Sequence, residues 1–333
     1  MSNEKFRAIL VSESGEKEFK REIANRSISD LPEGEVLVKV EYSSLNYKDA
    51  LSASGNRGVT RNFPHTPGVD AAGTVEETST IDFNKGDKVI VHGYDLGMNT
   101  SGGFGQYIRV PSEWVLNLPD GLSAKEAMMF GTAGFTAALS IFRLNENKIT
   151  PVSGKILVTG ATGGVGSMAV AILAKSGFEI VASTGKMEQA EFLKSIGATE
   201  VISREDSTDN TRKLLLKGNW AGVVDTVGGD ILATAIKSTN QRGVVTTCGN
   251  VASHDLSINV YPFILRGVTL VGIDSAGCPM QRRIKIWEMM ATSWKLENLE
   301  KLTRTVTLDK LDNEIDTILK GGQVGRVVVD LWG

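Results

Sequence analysis

The sequence predicts an α/β protein with one β-rich domain and a second domain built on a doubly wound parallel sheet. Three observations predict it. From Ile156 onward, short runs rich in Val and Ile alternate with helical stretches, the rhythm of a parallel sheet covered by crossover helices. Gly160, Gly163 and Gly166 follow the first of those runs at three-residue spacing and lead straight into a helical stretch. The N-terminal third lacks that rhythm and alternates short strands with turns. A chain of 333 residues is long enough for two such domains, each with its own core.

In chain order, Arg7–Val11 reads as a strand. Val36–Val40 puts three valines on one face against Leu37 and Lys39 on the other and continues to Tyr42, the period of two that a strand requires. Pro32–Gly34 and Asn84–Asp87 carry turn residues. Lys88–His92 and Gly105–Val110 are further strands. Pro119–Ser123 then introduces a helix, with Ser123 at the N-cap and Glu126 three residues on, the two halves of a capping box. The parallel strands are Ile156–Thr159, Glu179–Ser183, Glu200–Ile202, Gly222–Asp225, Gly243–Thr247 and Thr269–Ile273. Helices between them start near Val165, Met187, Thr208 and Asp230. After Ile273 the rhythm stops. A helical stretch, Met280–Trp294, precedes Thr305–Thr307, a last helix and the strand Arg326–Asp330. This tail is expected to return to the β-rich domain. The predicted domains are therefore 1–122 with 278–333, and 123–277.

Composition excludes several classes. The 36 basic and 39 acidic residues leave a net charge of −3, which gives no support for a nucleic-acid partner or an anionic membrane surface. Met1–Leu10 carries Glu4, Lys5 and Arg7 and lacks a hydrophobic signal core. No run is expected to approach the roughly 20 apolar residues of a membrane span. A soluble, cytoplasmic protein is expected. Cys248 and Cys278 are too few for a disulfide framework.

The glycine-rich segment carries the first chemistry. Strand, glycine turn and helix in that order form a dinucleotide-binding unit. Gly160 allows the tight turn. Gly163, Gly164 and Val165 bring backbone N–H groups to a pyrophosphate, and Gly166 lets helix and strand pack closely. The next strand selects the cofactor. An NAD site usually has Asp or Glu at its end to bind the ribose 2′-hydroxyl. Here the chain reads Ser183, Thr184, Gly185, Lys186, with no acid. Hydroxyls and a cation suit a 2′-phosphate, and Arg204, at the end of the following strand, reaches toward the same place. NADP(H) is the expected cofactor. The plainer reading of Lys186 and Arg204 is two solvated surface charges. Asp225 and Thr226 end one strand and Cys248, Gly249 and Asn250 the next, where ligands of such sheets collect; an ordinary strand-to-loop turn is the alternative for Cys248–Asn250.

A β-rich N-terminal domain, a Rossmann-type unit and a returning tail resemble the medium-chain dehydrogenase/reductase superfamily, whose first domain is GroES-like. Pro67–Gly73, Gly131–Ala137 and Val223–Gly229 are similar to three of its motifs. Ser44–Leu51, Arg61–Pro64, Gly131–Thr136 and Pro262–Arg266 resemble its zinc-free quinone oxidoreductase group, in the YhdH/YhfP branch. Nearly the whole chain takes part. The resemblance implies either NADPH-dependent acryloyl-CoA reduction or NADPH:quinone oxidoreduction.

Zinc members of the superfamily hold a catalytic metal with Cys, His and an acid. Here Val69 stands where the His would be and Asn46 stands near the first Cys position, and neither is a plausible zinc ligand. No metal is expected, and His65, His92 and His254 are scattered loop or packing residues. Without a metal, an isolated ketone is a poor substrate. In a quinone or an α,β-unsaturated thioester, charge from the incoming hydride spreads onto a carbonyl oxygen, where a few hydrogen-bond donors stabilise it.

By the resemblance, Asn46–Asp49 follows a catalytic-domain strand and faces the nicotinamide. Asn46 is the expected amide donor. Tyr47 either orients the cofactor or passes a proton, against the alternative of an aromatic packed between domains. Asp49 orders its neighbours or caps a helix beginning at Lys48. Arg57 and Arg61 hold coenzyme A phosphates or decorate the surface. Asp70 is expected to bind backbone N–H groups beside Gly68 and Gly73, and Arg326 to contact the cofactor. Three functions follow: a reductase of acryloyl-CoA or a related enoyl thioester, a quinone oxidoreductase, or a nucleotide-binding protein without turnover. Val268–Ile273 is expected to be a sheet edge that pairs with a second copy, so that a proline at Val271 weakens a homodimer.

Overall fold

The structure, a computed structural model, describes residues 4–16, 18–211 and 213–333. The chain divides into two compact units, Met1–Thr132 with Ala276–Ala291 and Thr303–Gly333, and Ala133–Ser275 with Thr292–Leu302. Set against the domains predicted from sequence, Ser123–Thr132 goes with the first unit and Thr292–Leu302 with the second.

The first unit opens with an antiparallel hairpin of β1 (Lys5–Gly15) and β2 (Glu18–Ser27). β3 (Val36–Leu45) runs directly into α1 (Tyr47–Ala53). β4 (Asp70–Thr78), β5 (Lys88–His92), β6 (Tyr107–Val110) and β7 (Val115–Asn117) follow, then the start of α2 (Ala124–Glu146), which passes into the second unit at Ala133. The Ser123–Glu126 capping box forms in both directions, Ser123 N–H to Glu126 Oε2 at 2.8 Å and Glu126 N–H to Ser123 Oγ at 3.2 Å.

The second unit holds β8 (Ile156–Val158), α3 (Gly164–Lys175), β9 (Ile180–Thr184), α4 (Ala190–Ser195), β10 (Glu200–Ser203), β11 (Trp220–Asp225), α5 (Gly229–Lys237), β12 (Thr239–Thr247), α6 (Tyr261–Arg266) and β13 (Thr269–Gly272). Its six strands pair in the order β10-β9-β8-β11-β12-β13, every neighbour parallel. The order turns back at β8, so the strand ends beside it form the crevice where ligands of such sheets sit. Leu157, Val181, Val223 and Val245 fill one face of the sheet.

The chain then returns to the first unit through α7 (Met280–Ala291), β14 (Thr303–Thr307), α8 (Leu311–Leu319) and β15 (Arg326–Asp330). β15 pairs antiparallel with β3, Val327 opposite Leu45 and Val329 opposite Ser43. It is an interior strand, one in from the edge of the sheet β14-β15-β3-β4-β5-β7, with β6 also on β3. Val38, Val40 and Leu45 share a core with Val327, Val329, Leu311 and Ile315, all fully buried. The C-terminal strand is thus a central part of the first core. Arg283 of α7 is fully buried and donates to the carbonyls of His92 at 2.6 Å and Ala276 at 3.0 Å, tying the returning helix to the end of β5.

Four local expectations change. β2 is unpredicted because none of its residues is buried and half are charged, so no buried face marks it. The helix expected near Thr208 does not form among the described residues. Instead Asp209 accepts from the Thr211 N–H at 2.9 Å and hydroxyl at 2.6 Å, a local turn that competes with helix. β4 is likewise unpredicted, its first residues having been read only as part of the Pro67–Gly73 motif. One run does reach spanning length: α2 has 23 residues and mean hydropathy 1.3 over its most apolar window, of which 89% is buried in the fold, as in a core helix.

Candidate active site

The candidate residues form two groups, one in each unit. In the first, β3 ends at Leu45 and α1 starts two residues later, so Ser44, Asn46 and Asp49 lie together at a strand-to-helix turn. Asn46 is the N-cap and Asp49 the third helical position, not the cap expected from sequence; its carboxylate accepts the Asn46 N–H at 2.8 Å and the Val69 N–H at 2.8 Å. Asp70, at the start of β4, is fully buried and accepts from the Ser44 hydroxyl at 2.5 Å, Asn46 Nδ2 at 2.7 Å and the Thr132 hydroxyl at 2.6 Å. It also accepts the Thr132 N–H at 2.9 Å, rather than N–H groups beside Gly68 and Gly73.

That last bond exists because α2 breaks. Gly131 has φ 51° and ψ −159°, inside what is otherwise one helix. The break frees the Thr132 N–H to point at a carboxylate, as a helix N-terminus does. A Cβ at Gly131 would lie 2.6 Å from both Asp70 Oδ2 and an Arg326 terminal nitrogen, so the position must be glycine on steric grounds as well as by φ.

Arg326 closes the group. It is 1% exposed, and its guanidinium donates to the Leu45 carbonyl at 2.9 Å, Asn46 Oδ1 at 3.0 Å and the Ser44 hydroxyl at 2.7 Å, with Asp70 at 3.8 Å. These contacts commit it to the interior of its own unit, against the expected cofactor contact. Asn46 is likewise committed: Oδ1 to Arg326, Nδ2 to Asp70 and to Asp49 at 3.2 Å. It positions the turn and has no N–H left to donate elsewhere. Tyr47, the first residue of α1, is 44% exposed. Arg57 pairs with Glu13 at 2.7 Å and lies over the rings of Phe19 and Phe63, which accounts for it without a ligand phosphate; Arg61 is exposed.

Burial, and then the charge of Asp70, push the Asp49 carboxyl up to about 7. In the unfolded chain an aspartate titrates near ~4. The folded protein therefore keeps a proton that the unfolded chain releases, and this contribution to stability is fully present below pH ~4 and lost as pH rises through about 7. Burial lowers His65 and His92, which act oppositely, losing stability as pH falls through ~6.5. The difference between wild type and Asp49→Asn isolates the carboxyl. In urea titrations from about pH 5 to about pH 8 it should swing steadily in favour of the variant; a pH-independent difference would refute the raised carboxyl.

In the second unit the residues gather at the carboxyl ends of β8 to β12. α3 begins at Gly164, with Gly163 as N-cap and no side chain capping it, so its first N–H groups are open to an anion. Gly160 has φ 58°, and a Cβ at Gly166 would lie 2.7 Å from the Ala161 Cα. This cradle fits a dinucleotide pyrophosphate. The hydroxyls at the end of β9 are less available than expected. Ser183 and Thr184 are buried and bond to Ser207 at 2.6 Å and Thr162 at 3.2 Å. Lys186 and Arg204 follow the ends of β9 and β10, the former with its ammonium lowered by burial. Asp225 is fully buried and accepts from Thr159 at 2.8 Å, Thr247 at 3.0 Å and the Gly228 N–H at 3.1 Å, so it orders three strand ends rather than facing a ligand. The Cys248 Sγ donates to the Asp225 carbonyl, and burial pushes the thiol up to about 12, an unreactive state. Gly249 packs on Thr226 and Asn250 is exposed.

A β-rich unit that takes in the last strands of the chain, together with a six-stranded parallel sheet carrying a dinucleotide cradle, is the domain pair of a two-domain oxidoreductase. The family pattern "Alcohol dehydrogenase GroES-like domain" matches residues 32–120, and "Zinc-binding dehydrogenase" matches 164–324. The chain belongs to the medium-chain dehydrogenase/reductase superfamily, in its zinc-free quinone-oxidoreductase-like group. It is 47% identical to "Putative quinone oxidoreductase YhfP" of Bacillus subtilis over 92% of this chain and 93% of that one. A crystal structure of YhfP with NAD bound matches with a TM-score of 0.96 and 44% identity, covering 98% of this chain and 100% of that one. Acrylyl-CoA reductase AcuI of Ruegeria pomeroyi is 42% identical over 98% of this chain and 99% of its own. The crystal structure of Escherichia coli K-12 YhdH with bound NADPH has a TM-score of 0.94 and 38% identity, covering 97% of this chain and 99% of that one.

Proposed function

We propose that this protein is an NADPH-dependent reductase of an activated carbon–carbon double bond, acting on acryloyl-CoA or a related enoyl thioester. One observation carries the reading: the superfamily's metal-ligand positions hold Val69, without a donor atom, and Asn46, whose polar atoms are all bonded within the protein. An acceptor conjugated to a carbonyl fits such a centre, because it spreads developing charge without a Lewis acid. The similarity to AcuI supports the thioester. The first N–H groups of α3 receive the pyrophosphate, and Lys186 and Arg204 receive the 2′-phosphate. Bound NADPH supplies the reducing equivalent. The Tyr47 hydroxyl passes a proton, while Asp70 and Arg326 hold the turn that presents it. The similarity to YhfP favours quinone reduction as the second reading.

Loss of NADPH absorbance with acryloyl-CoA, with a quinone and with neither separates these readings. Turnover of acryloyl-CoA is expected, and turnover of quinone alone would overturn the first reading. Calorimetric titration should give tighter binding of NADPH than NADH. Lys186→Ala and Arg204→Ala should each weaken NADPH by about 1.5–3 kcal/mol, the worth of a hydrogen bond to a charged group. Equal wild-type affinities would sink the cofactor assignment.

A homodimer is part of the same proposal. β13 is the last strand of its sheet, and Ile264 and Leu265 of the adjacent α6 are 67% and 60% exposed. The Ile273 N–H donates to Thr247 of β12, so by alternation Val271 also faces β12, and Leu270 and Gly272 face the free edge. A proline at Val271 would therefore cut the inner ladder. Leu270→Pro is the clean test: sedimentation should show a dimer in the wild type and a folded monomer in the variant. A dimer untouched by that change would exclude this edge.

A further inference from the structure

We propose that Gly185 sets cofactor selectivity by leaving room for the Arg204 guanidinium at the carboxyl end of β9. The inference rests on the NADPH reading above and names the residue that makes the phosphate site possible. Gly185 follows the last residue of β9 and is exposed. Arg204 follows the last residue of β10, and the two strands run parallel with Ser203 beside Thr184. Arg204 thus emerges alongside Gly185, and its side chain lies back across the glycine. A Cβ at Gly185 would sit 2.8 Å from the Arg204 Cζ, closer than real Cβ atoms come, and 3.0 Å from its Nε.

The backbone does not ask for glycine here. Gly185 is absent from the positive-φ residues, unlike Gly160 at φ 58°. The nearest atoms to the added Cβ all belong to one flexible, exposed side chain. A side chain at 185 would therefore not strain the fold. It would push the guanidinium off the strand end and into water.

What Arg204 does there is also legible. Among the described residues it has no carboxylate partner. The nearby Asp206 carboxylate is taken by the Ser203 hydroxyl at 2.8 Å and N–H at 3.3 Å. Lys186, one residue past Gly185, adds a second cation at this strand end, its ammonium lowered by burial. Two cations flank a glycine at a strand end that carries no acid. A phosphate dianion suits both, and the planar guanidinium meets it with two parallel N–H groups only if it keeps this orientation.

Titration calorimetry of NADPH and NADH on the wild type, Gly185→Ala, Gly185→Val, Arg204→Ala and the double variant Gly185→Ala/Arg204→Ala tests this. Gly185→Ala should lose about tenfold in NADPH affinity, part of what a charged hydrogen bond is worth, and Gly185→Val at least as much. Both should unfold at the wild-type temperature. The double variant should bind NADPH no more weakly than Arg204→Ala alone, because glycine acts only through the arginine. Wild-type NADPH affinity in both glycine variants would overturn the inference, and so would losses that multiply in the double variant. A wild type that does not prefer NADPH would overturn the cofactor reading itself, a failure visible before any variant is compared.

Discussion

Asp70→Ala should destabilise the protein by about 3–5 kcal/mol, the range for removing one partner from a buried charged network. Asp70 is fully buried and accepts hydrogen bonds from Ser44, Asn46 and Thr132, with the Arg326 guanidinium at 3.8 Å. Without it the Thr132 N–H and the buried Ser44 hydroxyl lose this acceptor, and Arg326 loses its nearer countercharge. Asp49 does not replace it, because its carboxylate is turned to Asn46 and Val69. Urea unfolding followed by circular dichroism gives the number. A loss under about 1 kcal/mol would mean that the site relaxes or admits water and that the network is not a structural keystone.

Tyr47→Phe should lower turnover about a hundredfold, the lower end for loss of a positioned acid or base. Tyr47 is reached by elimination within the group gathered at the turn from β3 to α1. The amide of Asn46, the carboxylates of Asp49 and Asp70 and the guanidinium of Arg326 are all engaged internally. Tyr47 stands at the start of the same helix with 44% of its surface exposed. Phenylalanine keeps the ring and removes only the hydroxyl, so unfolding temperature should not move. Turnover within about threefold of wild type would remove Tyr47 from the proton path and leave it a packing aromatic.

Much of this was legible in the sequence, for reasons of range. Glycine spacing, strand periodicity and the capping box at Ser123 and Glu126 are local signals, each set by a few consecutive residues and the backbone conformation they need. They locate the nucleotide turn, the parallel sheet and the strand end without an acid, and with the resemblance they carry the two-domain architecture. The roles inside the first unit are different. Asn46, Asp49, Asp70 and Arg326 are ordinary polar residues in sequence, and Gly131 reads as one more residue of an apolar helix. Only when β15 inserts beside β3 does Arg326 come within hydrogen-bond reach of Asn46, 280 positions away. Only when α2 breaks at Gly131 does the Thr132 N–H find Asp70, 62 positions away. The sequence by itself determined that the chain carries a dinucleotide-binding turn on a parallel sheet, because local backbone geometry encodes it. The tertiary structure decided which polar groups are already engaged and which remain free to act, because a hydrogen bond depends on where two distant segments meet.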